Sequence, residues 1–225
     1  MKNSLPILAL LGGTGDEGFG LALRWSASGY RVIIGSRTLD KAVSKASEVN
    51  QHLSESAPPV EGMDNLAAAR ASEISVLTVP YVAHGAILEY VKEALHGKIL
   101  VDVTVPLVPP DVTQVKLPLG VSAAQEAQVI LGKQVRVVTA FQNIAAVHLR
   151  NTERPIECDV LVCGDDEGAR EQVVRLAEAA GMVGWHAGSL ANAVAVESLT
   201  PVLISINQRY KTPHAGIRVT GIPRE

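Results

Sequence analysis

The chain has 225 residues, of which 47% are apolar and 19% charged, and its formal charge is −3. That is enough apolar chain to bury a core in one or two domains. The weakly acidic balance offers no broad basic field for phosphodiesters, and two Phe, two Trp and four Tyr leave little surface for stacking bases, so nucleic-acid binding is disfavoured and any anion must be held locally.

The opening apolar run stops at Gly12-Gly13 with no small-residue cleavage pattern after it, so it reads as a first buried strand. No stretch reaches the roughly 18 continuous apolar residues of a membrane span, and the expected compartment is the cytoplasm, with no membrane partner. Strand-like runs at 7–11, 31–34, 74–79 and 98–103 alternate with helix-patterned segments at 16–28, 39–53, 64–70 and 83–95, the signature of βαβ units around a parallel sheet. A proline-rich connection at 105–118 follows, then a helix at 122–131, strands at 135–139, 159–162 and 183–186, and helices at 167–180 and 189–210. Pro201 should kink or split the last of these. Cys158 and Cys163 lie on one strand-like run, roughly 17 Å apart at about 3.3 Å per residue, beyond disulfide reach, and read as core thiols.

After the first strand comes G-x-G-x-x-G at Gly13, Gly15 and Gly18. In a strand-turn-helix setting the first glycine permits the tight turn, the second lets backbone amides approach a pyrophosphate, and the third lets the helix pack on the strand. The helix N-terminus adds free N–H groups and partial positive charge. The second strand runs into Ser36-Arg37, with Lys41 a turn later, where a binder of unphosphorylated NAD would present an acid to the ribose diol. A hydroxyl, a guanidinium and an ammonium suit a 2′-phosphate, so the expected cofactor is NADP(H). A further contact zone is expected at Val79-Pro80, where a later strand ends.

The blocks Leu11-Gly12-Gly13-Thr14-Gly15, Gly35-Ser36-Arg37, Leu77-Thr78-Val79-Pro80, Cys163-Gly164-Asp165-Asp166 and Glu197-Ser198-Leu199-Thr200-Pro201 together resemble the NADPH-dependent coenzyme F420 reductases. The resemblance runs nearly the whole chain. It implies a Rossmann-type doubly wound α/β sheet over 1–140, with a smaller C-terminal α/β portion over 141–225 that closes the cleft and supports a homodimer or higher homo-oligomer. It also implies hydride transfer between NADP(H) and a 5-deazaflavin. Thr14, Gly15, Asp16 and Glu17 would lie at the pyrophosphate, Ser36, Arg37 and Lys41 at the 2′-phosphate, and Val79, Pro80 and Ala145 near the nicotinamide. Gln142, Asn143, Ser198 and Thr200 would line the deazaflavin side. The resemblance departs at Gln142 and Val194, where the family pattern carries His and Arg, so ionic pairing with the deazaflavin should be weaker.

No Ser-His-Asp order, metal-ligand spacing or carboxylate pair stands out, and no catalytic acid or base is assigned. Hydride transfer tolerates that, because the two ring systems carry the chemistry and the protein supplies approach and alignment. Amide and hydroxyl groups at Gln142, Asn143, Ser198 and Thr200 could donate to the charge that grows on the deazaflavin, although helical hydroxyls also bond back to the preceding turn. His84 could approach the nicotinamide or sit at a helix start as a surface or capping residue, and His148, His186 and His214 carry no partner motif. Asp165-Asp166 should cap the helix that follows. Two other readings keep the NADP site: a reductase of a small imine, keto acid or metal complex, and a non-enzymatic NADP(H) sensor.

Overall fold

Val, Ile and Leu concentrate in short runs that become strands, and a computed structural model describes them within residues 5–118, 121–152, 155–213 and 215–223. Residues 1–4 and His214 lie outside these. The strands are β1 (Leu8–Leu11), β2 (Val32–Ser36), β3 (Glu61–Asp64), β4 (Ile74–Leu77), β5 (Ile99–Asp102), β6 (Arg136–Thr139), β7 (Asp159–Gly164) and β8 (Val183–His186). The helices are α1 (Asp16–Ala27), α2 (Leu39–Asn50), α3 (Asn65–Ala71), α4 (Tyr81–Val91), α5 (Ala123–Leu131), α6 (Ala146–Arg150), α7 (Glu167–Ala179) and α8 (Ala193–Tyr210).

The strand order is β3-β2-β1-β4-β5-β6-β7-β8, so the Rossmann order is extended at one edge by β7 and β8. Neighbours are parallel except β6 and β7, which run antiparallel. The central strands are buried on both faces, which is why they read as continuous apolar runs. Strand periodicity divides the core: Leu8, Leu10, Ile34 and Val101 pack with Phe19, Trp25 and Leu176 on one face. Ala9, Leu11, Ile33 and Leu100 pack with Ala68, Leu88 and Leu131 on the other.

α1 is tied to the C-terminal half by its own side chains. Arg24, 6% exposed, donates from Nε to Leu149 O (2.9 Å), from Nη1 to Ala180 O (2.8 Å), and from Nη2 to His148 O (2.9 Å) and Asn151 O (2.5 Å). Trp25 Nε1 donates to Leu176 O at 2.8 Å. These carbonyls end α6 and α7, where a cation is favoured by the helix dipoles.

Two elements go beyond the sequence expectation: β3, at the sheet edge, and the five-residue α6. α8 runs through Pro201 without splitting, since proline removes only one donor and the buried Val196, Pro201 and Leu203 hold both halves in one element. The segment Leu190–Tyr210 is long and apolar enough, by length and composition, to cross a membrane, and part of it is buried within this fold. Both cysteines are free and buried. Asp166 caps α7 by accepting from Ala169 N, and Asp165 accepts from Leu190 N at 2.9 Å.

Candidate functional site

The strand order reverses between β1 and β4, and ligands of open α/β sheets lie at the C-terminal ends of the strands flanking such a point. The turn after β1 is built for close approach. Gly12, at φ 72°, takes the left-handed conformation, so the tight turn expected of Gly13 is made one residue earlier. A Cβ on Gly18 would lie 2.5 Å from Gly13 O, which is the close helix-strand packing expected of that position. Gly15 is the N-cap of α1 with extended backbone and no side-chain cap, and the space where its Cβ would project is open. The first-turn amides of α1 are therefore left for a ligand.

The acids beside this turn are offset in two ways. Asp16 pairs with Arg150 of α6 at 2.5 Å, while Arg150 stacks on Phe19 with its guanidinium carbon 4.5 Å from the ring centre. Burial pushes the Glu17 carboxyl up to about 8.

A cavity of about 510 Å³ spans the ends of four strands. Gly12 and Thr14 enter it after β1, Ser36, Arg37, Thr38 and Lys41 after β2, and Asp64 and Asn65 after β3. Val79, Pro80, Ala83, Ala86, Ile87 and Tyr90 form the wall made by α4 and the turn before it. Ser36 is buried and its Oγ accepts from Thr38 N at 3.3 Å, whereas Arg37 and Lys41 are exposed and have no ion-pair partner among the described residues. Gly13, Gly15, Asp16 and Glu17 do not line this cavity themselves. Sequence reasoning missed Thr38, Asp64, Asn65 and Tyr90. Asp64 caps α3, and Asn65 Oδ1 accepts from Gly12 N at 3.0 Å, fixing the glycine turn from the neighbouring element. An Asx pair at a helix start was the available signal, but β3 before it carries no apolar alternation.

Ala145 lies apart from this cavity, in a depression of about 100 Å³ shared with Gln142, Asn143, Thr200, Leu203 and Asn207. The donors expected to face a ligand there are engaged by the protein. Gln142 Nε2 donates to Asp102 O (2.6 Å) and to Thr139 Oγ1, and Asn143 Nδ2 donates to Asp159 O at 2.8 Å. Thr200 Oγ1 donates to Gln142 O at 2.7 Å, and Ser198 Oγ bonds back to Val194 O at 2.6 Å. Left over are two buried acceptors, Gln142 Oε1 and Asn143 Oδ1, which call for donors from a ligand or ordered water.

Outside the 510 Å³ cavity, around a second one lined by Tyr81, His84 and Glu126, lies a group of ionisable side chains that the sequence did not connect. His84 is no surface cap: it is 1% exposed, and its Nε2 lies 2.7 Å from Oδ2 of fully buried Asp102. Burial opposes the imidazolium, but the hydrogen bond and charge of Asp102, with Glu126 and Glu197, outweigh it and raise the pKa. Glu197, 1% exposed, accepts from Ala123 N (2.7 Å) and Ala124 N (3.1 Å) at the start of α5. Burial pushes it up to about 8 against the pull of those two amides. Tyr81 donates to Glu126 Oε2 at 2.8 Å, and burial together with that carboxylate pushes its phenol up to about 12. Burial also raises both thiols, Cys163 to about 11. Among the described residues no group of three or more His, Cys, Asp or Glu is placed to hold a metal.

Residues 7–106 match the family model described as NADP oxidoreductase, coenzyme F420-dependent. The F420-dependent NADP reductase of Methanothermobacter marburgensis is 41% identical over 221 residues, covering 96% of this chain and 99% of that protein. The protein of the same name from Methanocaldococcus jannaschii is 38% identical, with 96% and 98% covered. Among solved structures, a candidate F420-dependent NADP reductase from Arthrobacter sp. FB24 superimposes with a TM-score of 0.80 at 25% identity, covering 96% of this chain and all of the other. The chain belongs to the family of F420-dependent NADP reductases.

Proposed function

We propose that this chain is an NADPH-dependent F420 reductase that transfers a hydride between NADP(H) and the 5-deazaflavin coenzyme F420. The observation that carries the choice of nucleotide is the pair of cations beyond β2. Arg37 and Lys41 stand at the 510 Å³ cavity beside buried Ser36, and among the described residues neither is ion-paired with a carboxylate. A 2′-phosphate supplies that missing charge, with Arg37 as a planar fork and Lys41 as a point charge.

The residues present fit a dinucleotide. Gly13, Thr14 and Gly15, with Asp16 and Glu17 opening α1, form the pyrophosphate turn, and the open space beside Gly15 with the uncapped helix start is the observation that supports it. Val79 and Pro80 wall the nicotinamide end, and Ala145 with Gln142, Asn143, Ser198 and Thr200 forms the deazaflavin side. When bound, the nicotinamide and the deazaflavin exchange a hydride, with one proton taken up for each deazaflavin reduced. The chain's part is to hold two faces in register and to exclude water; no side chain is assigned as acid or base. Gln142 Oε1 and Asn143 Oδ1 are buried acceptors with no partner among the described residues, and such neutral amides would be a means of holding a ring that carries N–H groups.

Residues 1–140 form the nucleotide-binding portion and 141–225 the portion that closes the site and associates. The enzyme works in the cytoplasm as a homodimer built on α8, whose Val202 and Ile206 are exposed and apolar. Light scattering on the purified protein checks this, with a dimer expected and its loss on Ile206→Glu.

The experiment for the activity follows the visible band of oxidised deazaflavin with NADPH or NADH. Bleaching with NADPH and little with NADH is the expected result. NADPH binding without bleaching would leave the nucleotide site standing and turn the search to small imine or carbonyl substrates.

A further inference from the structure

A single line of hydrogen bonds joins the two walls of the site. α4 gives Ala83 and Ile87 to the 510 Å³ cavity and turns His84 the other way, onto Asp102 at the end of β5. Asp102 serves three partners at once. Its Oδ2 meets His84, its Oδ1 accepts from Thr104 N at 3.0 Å, and its backbone carbonyl accepts from Gln142 Nε2 at 2.6 Å. Gln142 O in turn accepts from Thr200 Oγ1 on α8 at 2.7 Å. His84, Asp102, Gln142 and Thr200 thus string α4 to α8 through the end of β5.

We propose that His84 is a positioning residue which, through Asp102, sets the separation between the cofactor wall on α4 and the opposite wall formed by Gln142 and Thr200; this rests on the hydride-transfer reading above. Reacting carbons must approach to about 3–3.5 Å, and a displacement of about 1 Å costs about 100-fold in rate, so a brace between the walls acts on turnover more than on binding. Breaking the brace at His84 also leaves the Asp102 carboxylate buried without that partner, which drives the end of β5 to rearrange.

The surroundings make His84 the variable link. Asp102 faces it from β5, Glu126 from α5 and Glu197 from α8, while Tyr81 on its own helix lies with its ring 5.9 Å away and its hydroxyl committed to Glu126. The hydrogen bond and charge of Asp102, then Glu126, with Glu197 adding to them as it ionises, hold the imidazolium against burial, so its proton leaves at higher pH than an ordinary histidine's. A charge-assisted bond to Asp102 is shorter and stronger than a neutral one, so the brace is tightest while His84 is protonated.

Two variants test this. His84→Gln keeps a donor within reach of Asp102 but cannot titrate, and His84→Phe fills similar space without a donor. Three quantities are read: the NADPH dissociation constant by fluorescence without deazaflavin, kcat and KM with deazaflavin across pH, and the imidazole titration by NMR in the ligand-free protein. The expected result is an NADPH constant within about threefold of wild type in both variants, with kcat down about 100-fold in His84→Phe and partly restored in His84→Gln. The wild-type imidazole should titrate above about 6.5. A limb of the kcat profile should share that midpoint and be absent from His84→Gln. A folded His84→Phe protein whose kcat stays within about threefold of wild type overturns the proposal, as does a loss of NADPH affinity in proportion to kcat. If His84→Phe does not fold, His84→Gln decides, and retention of the wild-type kcat and pH profile is the overturning outcome. A wild-type protein that binds NADPH but leaves deazaflavin unreduced removes the hydride-transfer reading and this proposal together; an active wild type with insensitive variants removes only the proposal.

Discussion

Arg37 and Lys41 show how much of nucleotide choice is decided by single side chains. Both are exposed and lack ion-pair partners among the described residues, so replacing either costs the fold little and the ligand much. Arg37→Ala should weaken NADPH binding by about 10- to 100-fold, the loss expected for a charge-assisted hydrogen-bonding group, while NADH binding stays near its own value; fluorescence titration with both nucleotides checks it. Gly18→Ala acts in the opposite sense, on the scaffold. Its Cβ would press 2.5 Å from Gly13 O and 2.6 Å from Gly13 Cα, both backbone, so α1 must shift away from the turn. The expected cost is about 1–3 kcal/mol in denaturant unfolding, with weaker NADPH binding alongside. At this scale local spacing led to Ser36 and Arg37, which line the cavity, while the tight turn expected of Gly13 falls to Gly12. The sequence was illegible where chemistry follows contacts between distant residues: nothing near His84 announces Asp102, eighteen positions on, and nothing near Gly12 announces the Asn65 amide fifty-three positions away.

Among elements, those with a strong apolar period were read from the sequence and those without one were not. β3 has the sequence Glu-Gly-Met-Asp and lies at the sheet edge, so burial imposes no alternation on it. α6 spans five residues, too few for a helical period to appear, yet its end supplies Arg24 with three carbonyl acceptors. The contact between α8 and α5 carries a pH signature. Glu197 is raised by burial from 4.5 to about 8 in the folded chain, so its contribution to stability is fully present below the unfolded value near 4.5 and is lost as pH rises through about 8. Glu17 has the same sign and window, and His84, also raised, adds its loss above its ordinary value of 6.5. The Tm should therefore fall between pH 5 and pH 9, and Glu197→Gln should make that fall shallower by removing one of the three groups; differential scanning calorimetry reads each kcal/mol as about 2–4 °C for a chain of this size.

Across the whole molecule, the portions on either side of residue 140 share one sheet, through the β6–β7 pair, and one core face, where Trp25 and Phe141 meet edge to face at 5.8 Å. Phe141 itself sits at φ 75°, a left-handed backbone that a bulky residue adopts only when its surroundings demand it. Arg24 fastens α1 to the ends of α6 and α7, and Arg24→Met would leave four carbonyls without their buried donor. The expected cost is about 3–5 kcal/mol, read as a fall of about 6–20 °C in Tm. Because that fastening crosses residue 140, wild-type unfolding followed by circular dichroism and by tryptophan fluorescence should give one coincident transition, whereas two separated midpoints would mark the portions as independent.

The carboxylate that holds the first amides of α5 belongs to Glu197, seventy-three and seventy-four positions later. A ribosome delivers α5 long before it delivers that residue. Until then the helix start has only its own capping box, in which Ser122 and Gln125 bond reciprocally. A nascent chain halted before Glu197 therefore holds β1 to β8 while lacking the residue that seats α5 against α8. Synthesis of α8 both completes the wall at Thr200 and locks a helix made much earlier, so the site becomes whole only once α8 has been made.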